Sequence, residues 1–149
     1  MNIEKYDQEI TPELMDLLLK ADPDQSAVES YIRNAEVIVS NTNDQLVGVA
    51  VLIKSKDVFE IKNISVHDDY RGQGIAKALI KEAMALAKKA GAKVIEVGTG
   101  NSSLSKLEFY QKCGFRMYKI VPGYFDDYPE PIVENGIPCL DMVLLRATL

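Results

Sequence analysis

A chain of 149 residues, 47% hydrophobic and 26% charged, has the composition of a globular protein with one core, and residues 1–149 are read as a single domain. Its net charge of −5 has a definite location: no Lys or Arg occurs from Ile120 to Leu145, where Asp126, Asp127, Glu130, Glu134 and Asp141 all fall. A nucleic-acid binder would carry a basic face, and the longest apolar or glycine run, Leu46 to Ile53, is too short for a bilayer, so neither partner is expected.

The opening Met1-Asn2-Ile3-Glu4-Lys5 lacks the basic start and apolar stretch of a secretory leader, which makes a cytoplasmic location the default expectation. Cys113, Cys139 and the single histidine, His67, have no metal-ligand spacing. Two free thiols and no metal site are expected. His67 reads as a surface residue at a strand end, and Cys113 as a packed thiol without a neighbouring base.

In chain order, Thr11-Pro12-Glu13 is a helix start, with Leu14, Leu17 and Leu18 at helical spacing before Asp22-Pro23. A second helix is expected from Ser26 to Asn34. Glu36 to Ser40 and Gln45 to Lys54 read as hairpin strands around Asn41-Thr42-Asn43-Asp44, followed by a strand from Val58 to Val66. Ile75, Leu79, Ala83, Leu86, Ala87 and Ala90 then recur three or four apart, a long helix stopped at Gly91. Lys93 to Val97 is strand-like, and Ser102 or Ser103 can cap a helix through Lys112. Arg116 to Val121 and Cys139 to Leu145 read as strands on either side of the acidic loop. Short turns predict antiparallel pairing in the first half, and the alternation in the second half completes a mixed α/β sheet flanked by helices.

Between the third of these strands and the long helix lies Arg71-Gly72-Gln73-Gly74-Ile75-Ala76. Two glycines let the backbone curl closely around a ligand, and the helix start leaves N–H groups unpaired at the positive end of its dipole. Arg71 adds charge, so an anion, most naturally phosphate, is expected here. A P-loop fails because Lys77 lies between Ala76 and Ala78, and a dinucleotide fingerprint would need glycine at position 77.

The run Ile64-Ser65-Val66-His67-Asp68-Asp69-Tyr70-Arg71-Gly72-Gln73-Gly74-Ile75-Ala76-Lys77-Ala78-Leu79 resembles the acetyl-CoA signature of the GCN5-related N-acetyltransferases. Ile95-Glu96-Val97, Asn101 and Phe109-Tyr110-Gln111-Lys112-Cys113-Gly114-Phe115 resemble that family's second half. Asp68 stands where the family often has Pro. The resemblance implies an acyl-CoA N-acyltransferase fold with a centrally splayed sheet, acetyl-CoA as cosubstrate, and a pantetheine arm paired to the backbone of Ile64, Ser65 and Val66. A helix dipole supplies only about 0.3–2 kcal/mol per charge, against roughly 8 kcal/mol for a micromolar ligand, so that second contact is needed.

The implied reaction is direct acetyl transfer from a thioester to an amine. A primary amine of pKa near 10.4 must lose its proton, at a cost of about 4–5 kcal/mol near neutral pH, and a carboxylate can help. Glu60 and Glu96 are the candidate bases, each in an apolar strand context that also suits a plain surface residue. The resemblance sets the Tyr110 hydroxyl near the thioester sulfur as a hydrogen-bond donor. Asn101 is either a contact to the pantetheine or diphosphate or a helix cap. The acidic loop, with Tyr124, Phe125 and Tyr128, suits a cationic acceptor: a polyamine, an aminoglycoside-like molecule or a protein amine. An ordinary solvated loop or a homodimer contact is the alternative. A non-catalytic acyl-CoA sensor remains the rival function.

Overall fold

The computed structural model describes residues 1–149. The elements are β1 (Asn2–Lys5), α1 (Pro12–Ala21), α2 (Gln25–Ile32), β2 (Glu36–Thr42), β3 (Gln45–Ser55), β4 (Val58–Val66), a single 3-10 turn (Asp68–Tyr70), α3 (Ile75–Lys89), β5 (Val94–Gly100), α4 (Leu104–Lys112), β6 (Arg116–Val121), the short pair β7 (Val133–Glu134) and β8 (Ile137–Pro138), and β9 (Met142–Thr148). Seven strands form one mixed sheet in the order β1-β2-β3-β4-β5-β9-β6.

Local chemistry explains most boundaries. The Thr11 side chain accepts from the Leu14 N–H at 3.2 Å, and Pro12 occupies the first turn of α1. Asp24 caps α2 by accepting from the Ala27 N–H, so this helix begins one residue before the expected Ser26 and ends at Ile32, short of Asn34. Asn43 and Asp44, with φ of 52° and 63°, form the tight turn between β2 and β3. Three differences stand out. β1 has only Ile3 as an apolar residue and exists because it pairs with β2. The last strand runs Met142–Thr148 rather than Cys139 to Leu145, and the acidic loop contains the β7–β8 hairpin.

Strands β2 and β3 are buried on both faces, which is why Leu46 to Ile53 reads as an unbroken apolar run. On one face, Val37, Val39, Val49 and Val51 meet Leu14, Leu17, Leu18 and Val28 of α1 and α2. On the other, Ile38, Val47, Ala50 and Leu52 meet Ile75, Leu79, Ile80, Ala83 and Ala87 of α3. Full burial of each Leu or Ile contributes about 1.5–3 kcal/mol. Gly48 lets α3 come close, since a Cβ there would lie 3.0 Å from both Ile75 Cγ2 and Leu79 Cδ1.

The feature that makes a site is the parallel junction of β4 and β5. They pair only from Val58–Val94 to Ile61–Val97, although β4 continues to Val66 and β5 to Gly100. Val51 pairs with Asn63 but Leu52 with Ile61, so Lys62 is an extra residue in β4, and a bulge of this kind bends its strand. Beyond it the two strands diverge. Ile64, Ser65 and Val66 keep β3 on one side and have no strand on the other.

Candidate active site

The first half of the site is a cavity of about 510 Å³. Its floor is Ile64, Ser65 and Val66 of β4, and its mouth is Arg71, Gly72, Gly74, Ile75, Ala76 and Lys77. Gly72 and Gly74 have φ of +77° and +79°, a region that side-chain-bearing residues rarely occupy. No side chain caps α3, whose N-cap is Gly74, so its first N–H groups open toward the cavity mouth. Gln73 does not line this cavity, although its neighbours do.

Asp68 braces the loop. Its carboxylate lies 2.5 Å from Lys20 Nζ on α1 and 3.1 Å from Arg71 Nη2. The Lys20 hydrogen bond, ahead of the Arg71 charge, holds the Asp68 carboxyl below its ordinary range. His67 Nδ1 accepts from the Asp69 N–H at 3.1 Å, a local turn cap rather than a base.

Tyr110 lines the same cavity from α4 and is 4% exposed, held edge-on to Phe115 at 5.9 Å. Burial pushes its hydroxyl up to about 12. Proton transfer from such a phenol to a thiol near 8.5 is uphill by about 5 kcal/mol, so this group can donate a hydrogen bond but not readily a proton. Cys113 is also pushed up by burial, which keeps its thiol protonated and inert.

The remaining candidates divide. Glu96 accepts from the Tyr118 hydroxyl at 2.8 Å and from Arg146 Nη2 at 2.5 Å, while the Arg146 guanidinium stacks 3.9 Å from the Tyr118 ring centroid. It is committed to this cluster and lines neither cavity. Glu60 makes no such pair and faces a second cavity of about 480 Å³. Asn101 neither caps α4, which begins after Ser103, nor lines the first cavity. It pins the segment before β9: its Oδ1 accepts from the Leu140 and Asp141 N–H groups at 2.8 and 3.0 Å, and its Nδ2 donates to the Pro138 carbonyl at 3.0 Å.

This second cavity lies beyond the β4–β5 split. Tyr124, Phe125 and Tyr128 form an aromatic wall, packed edge-to-face at 5.0 and 5.3 Å. Of the acidic segment only Glu134 reaches the lining, where it accepts from the Ser102 and Ser103 hydroxyls at 3.1 and 2.9 Å. Asp126 folds back toward Gly123, and Asp141 accepts from the Gly123 N–H at 3.0 Å. The two cavities share Lys20, Ala21 and Lys106. Sequence reading missed Lys106, although it lies one helical turn before Tyr110 on the same face of α4. Lys20 had no local signal, because it arrives from α1.

A split mixed sheet with a glycine loop at the helix beside the split is the architecture of an acyl-CoA N-acyltransferase. The family model "Acetyltransferase (GNAT) domain" matches residues 33–117. The chain is 44% identical to the uncharacterized N-acetyltransferase YvbK of Bacillus subtilis over an alignment of 155 positions covering 100% of both chains. A Bacillus subtilis acetyltransferase solved in complex with CoA superposes with a TM-score of 0.94 at 44% identity, covering 99% of this chain and 97% of that one. A GNAT family acetyltransferase of Elizabethkingia anophelis with acetyl-CoA bound gives 0.93 at 41%, with the same coverage. The chain belongs to the GNAT family of acetyltransferases, and its enzyme class is N-acetyltransferase.

Proposed function

We propose that this chain transfers the acetyl group of acetyl-CoA directly to a primary amine, the two substrates entering the first and second cavities from opposite sides of the β4–β5 split. The observation that carries this reading is the junction of the cavities at Lys20, Ala21 and Lys106. The loop at Arg71, Gly72, Gly74, Ile75 and Ala76 receives the diphosphate, and the free side of Ile64, Ser65 and Val66 receives the pantetheine. In the transfer the amine nitrogen forms a bond to the acetyl carbonyl carbon, the carbon–sulfur bond breaks, and the sulfur keeps its electron pair.

Glu60 is the group that takes the amine proton, directly or through one water, since it lines the acceptor cavity without another partner. Glu96 is left to structure by its pairing with Arg146. Tyr110 donates a hydrogen bond to the departing sulfur, which its raised pKa makes a donation rather than a proton transfer. The acceptor side weighs against a polyamine or aminoglycoside, because most carboxylates of the acidic segment lie outside the cavity.

Calorimetric titration with acetyl-CoA and competition by CoA test the first half, and a CoA-release assay over a panel of amines tests the second. Micromolar binding with turnover of at least one primary amine is expected. Binding without turnover of any amine makes the protein an acyl-CoA sensor, and no heat with a folded protein ends the assignment.

A further inference from the structure

The charges of the acceptor cavity are balanced, and most are already spoken for. Asp22 accepts from the Tyr31 hydroxyl and the Asp24 N–H, Glu134 from two serines, Lys20 pairs with Asp68, and Lys62 lies over the Tyr31 ring at 5.8 Å. Three ionic side chains of the lining, Glu60, Lys62 and Lys106, are in no ion pair and no side-chain hydrogen bond, and of these only Lys62 has an aromatic ring beneath it. Glu60 and Lys106 are thus the anion and the cation left without any partner, facing the same volume as the aromatic wall of Tyr124, Phe125 and Tyr128, and Lys106 alone of the two unpaired lysines also borders the first cavity.

A polycation would find only one uncommitted carboxylate here and would meet Lys106 with like charge. A simple alkylamine would leave Lys106 without a partner. The complement of this lining is a molecule with an amine, a carboxylate a few bonds away, and an apolar or aromatic body. We infer that the acceptor is an amino acid, its α-amine directed to Glu60, its carboxylate held by Lys106 and its side chain packed on the aromatic wall. Lys106 also borders the cofactor cavity, so binding the carboxylate there brings the amine to the cavity junction where the thioester must lie.

This inference rests on the acetyltransferase reading above, and the test separates the two. CoA release is measured with matched pairs: phenylalanine against phenethylamine, tyrosine against tyramine, leucine against 3-methylbutylamine, with spermidine as the polycation. The expected result is a kcat/KM at least tenfold higher for each amino acid than for its decarboxylated partner, with spermidine poorest. K106M should remove that preference by raising KM for the amino acid at least tenfold more than for its decarboxylated partner, and K106R should retain it. Equal or better turnover of the amines or of spermidine overturns the inference while leaving the acetyltransferase reading intact, as does an equal effect of K106M on both partners. Acetyl-CoA binding with no turnover of any acceptor overturns both.

Discussion

The two cavities that meet at Lys20, Ala21 and Lys106 are built in opposite ways. The first cavity draws most of its lining from one stretch, Ile64 to Lys77, with α4 closing it. The second cavity draws on α1, on β4, and on β5, α4, the loop after β6 and β9, segments spread from Lys20 to Leu144. The first depends on backbone geometry: glycines at positive φ, unpaired N–H groups, an unpaired strand edge. The second depends on side chains and on how distant segments are pinned together. On the proposed reading, the part that holds the common reactant is local, while the part that selects the acceptor is assembled from pieces that can vary separately.

Variants on each side should therefore fail in different ways. Tyr110→Phe should have the largest effect, lowering kcat about 10²-fold with the CoA dissociation constant unchanged, measured by rapid-quench assay and calorimetry. Its hydroxyl, raised to about 12, stays a donor through pH 10, so no loss of activity below that pH should trace to it. The linkage has a definite sign. The folded pKa lies above the unfolded value near 10, so stability is full below pH 10 and falls by something on the order of 3 kcal/mol as pH rises from there through 12. The melting temperature of the wild type should fall relative to that of Tyr110→Phe over that window, since only the wild type must ionise a buried phenol to keep pace.

Gly74→Val should weaken acetyl-CoA binding about 10- to 100-fold, because a β-branched residue at φ of +79° carries a strain of about 1–3 kcal/mol. Glu60→Gln should lower kcat/KM for the acceptor about tenfold at neutral pH, with a smaller loss as pH rises and free amine accumulates. Asn101→Ala should sharpen the contrast. By releasing three hydrogen bonds that pin Pro138, Leu140 and Asp141, it should raise acceptor KM several-fold and lower stability by about 1–2 kcal/mol, with CoA affinity retained. The smallest effect belongs to Glu96→Gln, less than threefold on kcat; a loss as large as that of Glu60→Gln would return Glu96 to the chemistry.

Glu96 shows how much a strand context leaves to the tertiary structure. Ile95 and Val97 on either side of it are core residues, yet alternation sends Glu96 to the other face of the sheet. There the register of β5 with β9 sets Arg146 opposite it, and β6 brings Tyr118. Glu60 has the same kind of neighbours, Phe59 and Ile61, but its cross-strand partners are Ile53 and Glu96, one position before the β4–β5 pairing ends, and neither is a cation. Asn101 was legible as a special residue, not as a staple, because its partners lie 37 to 40 positions further on.

By itself, the sequence determined what depends on near neighbours: the caps of α1, the β2–β3 turn, the apolar runs that must be buried, and the glycine loop whose backbone no other residue could adopt cheaply. Tertiary structure alone decided where β4 and β5 part, which glutamate lost its freedom to Arg146, and which side of the acidic loop turned inward. Those outcomes follow from pairing register and from contacts across tens of residues, where a side chain's surroundings are supplied by segments its own neighbourhood does not encode.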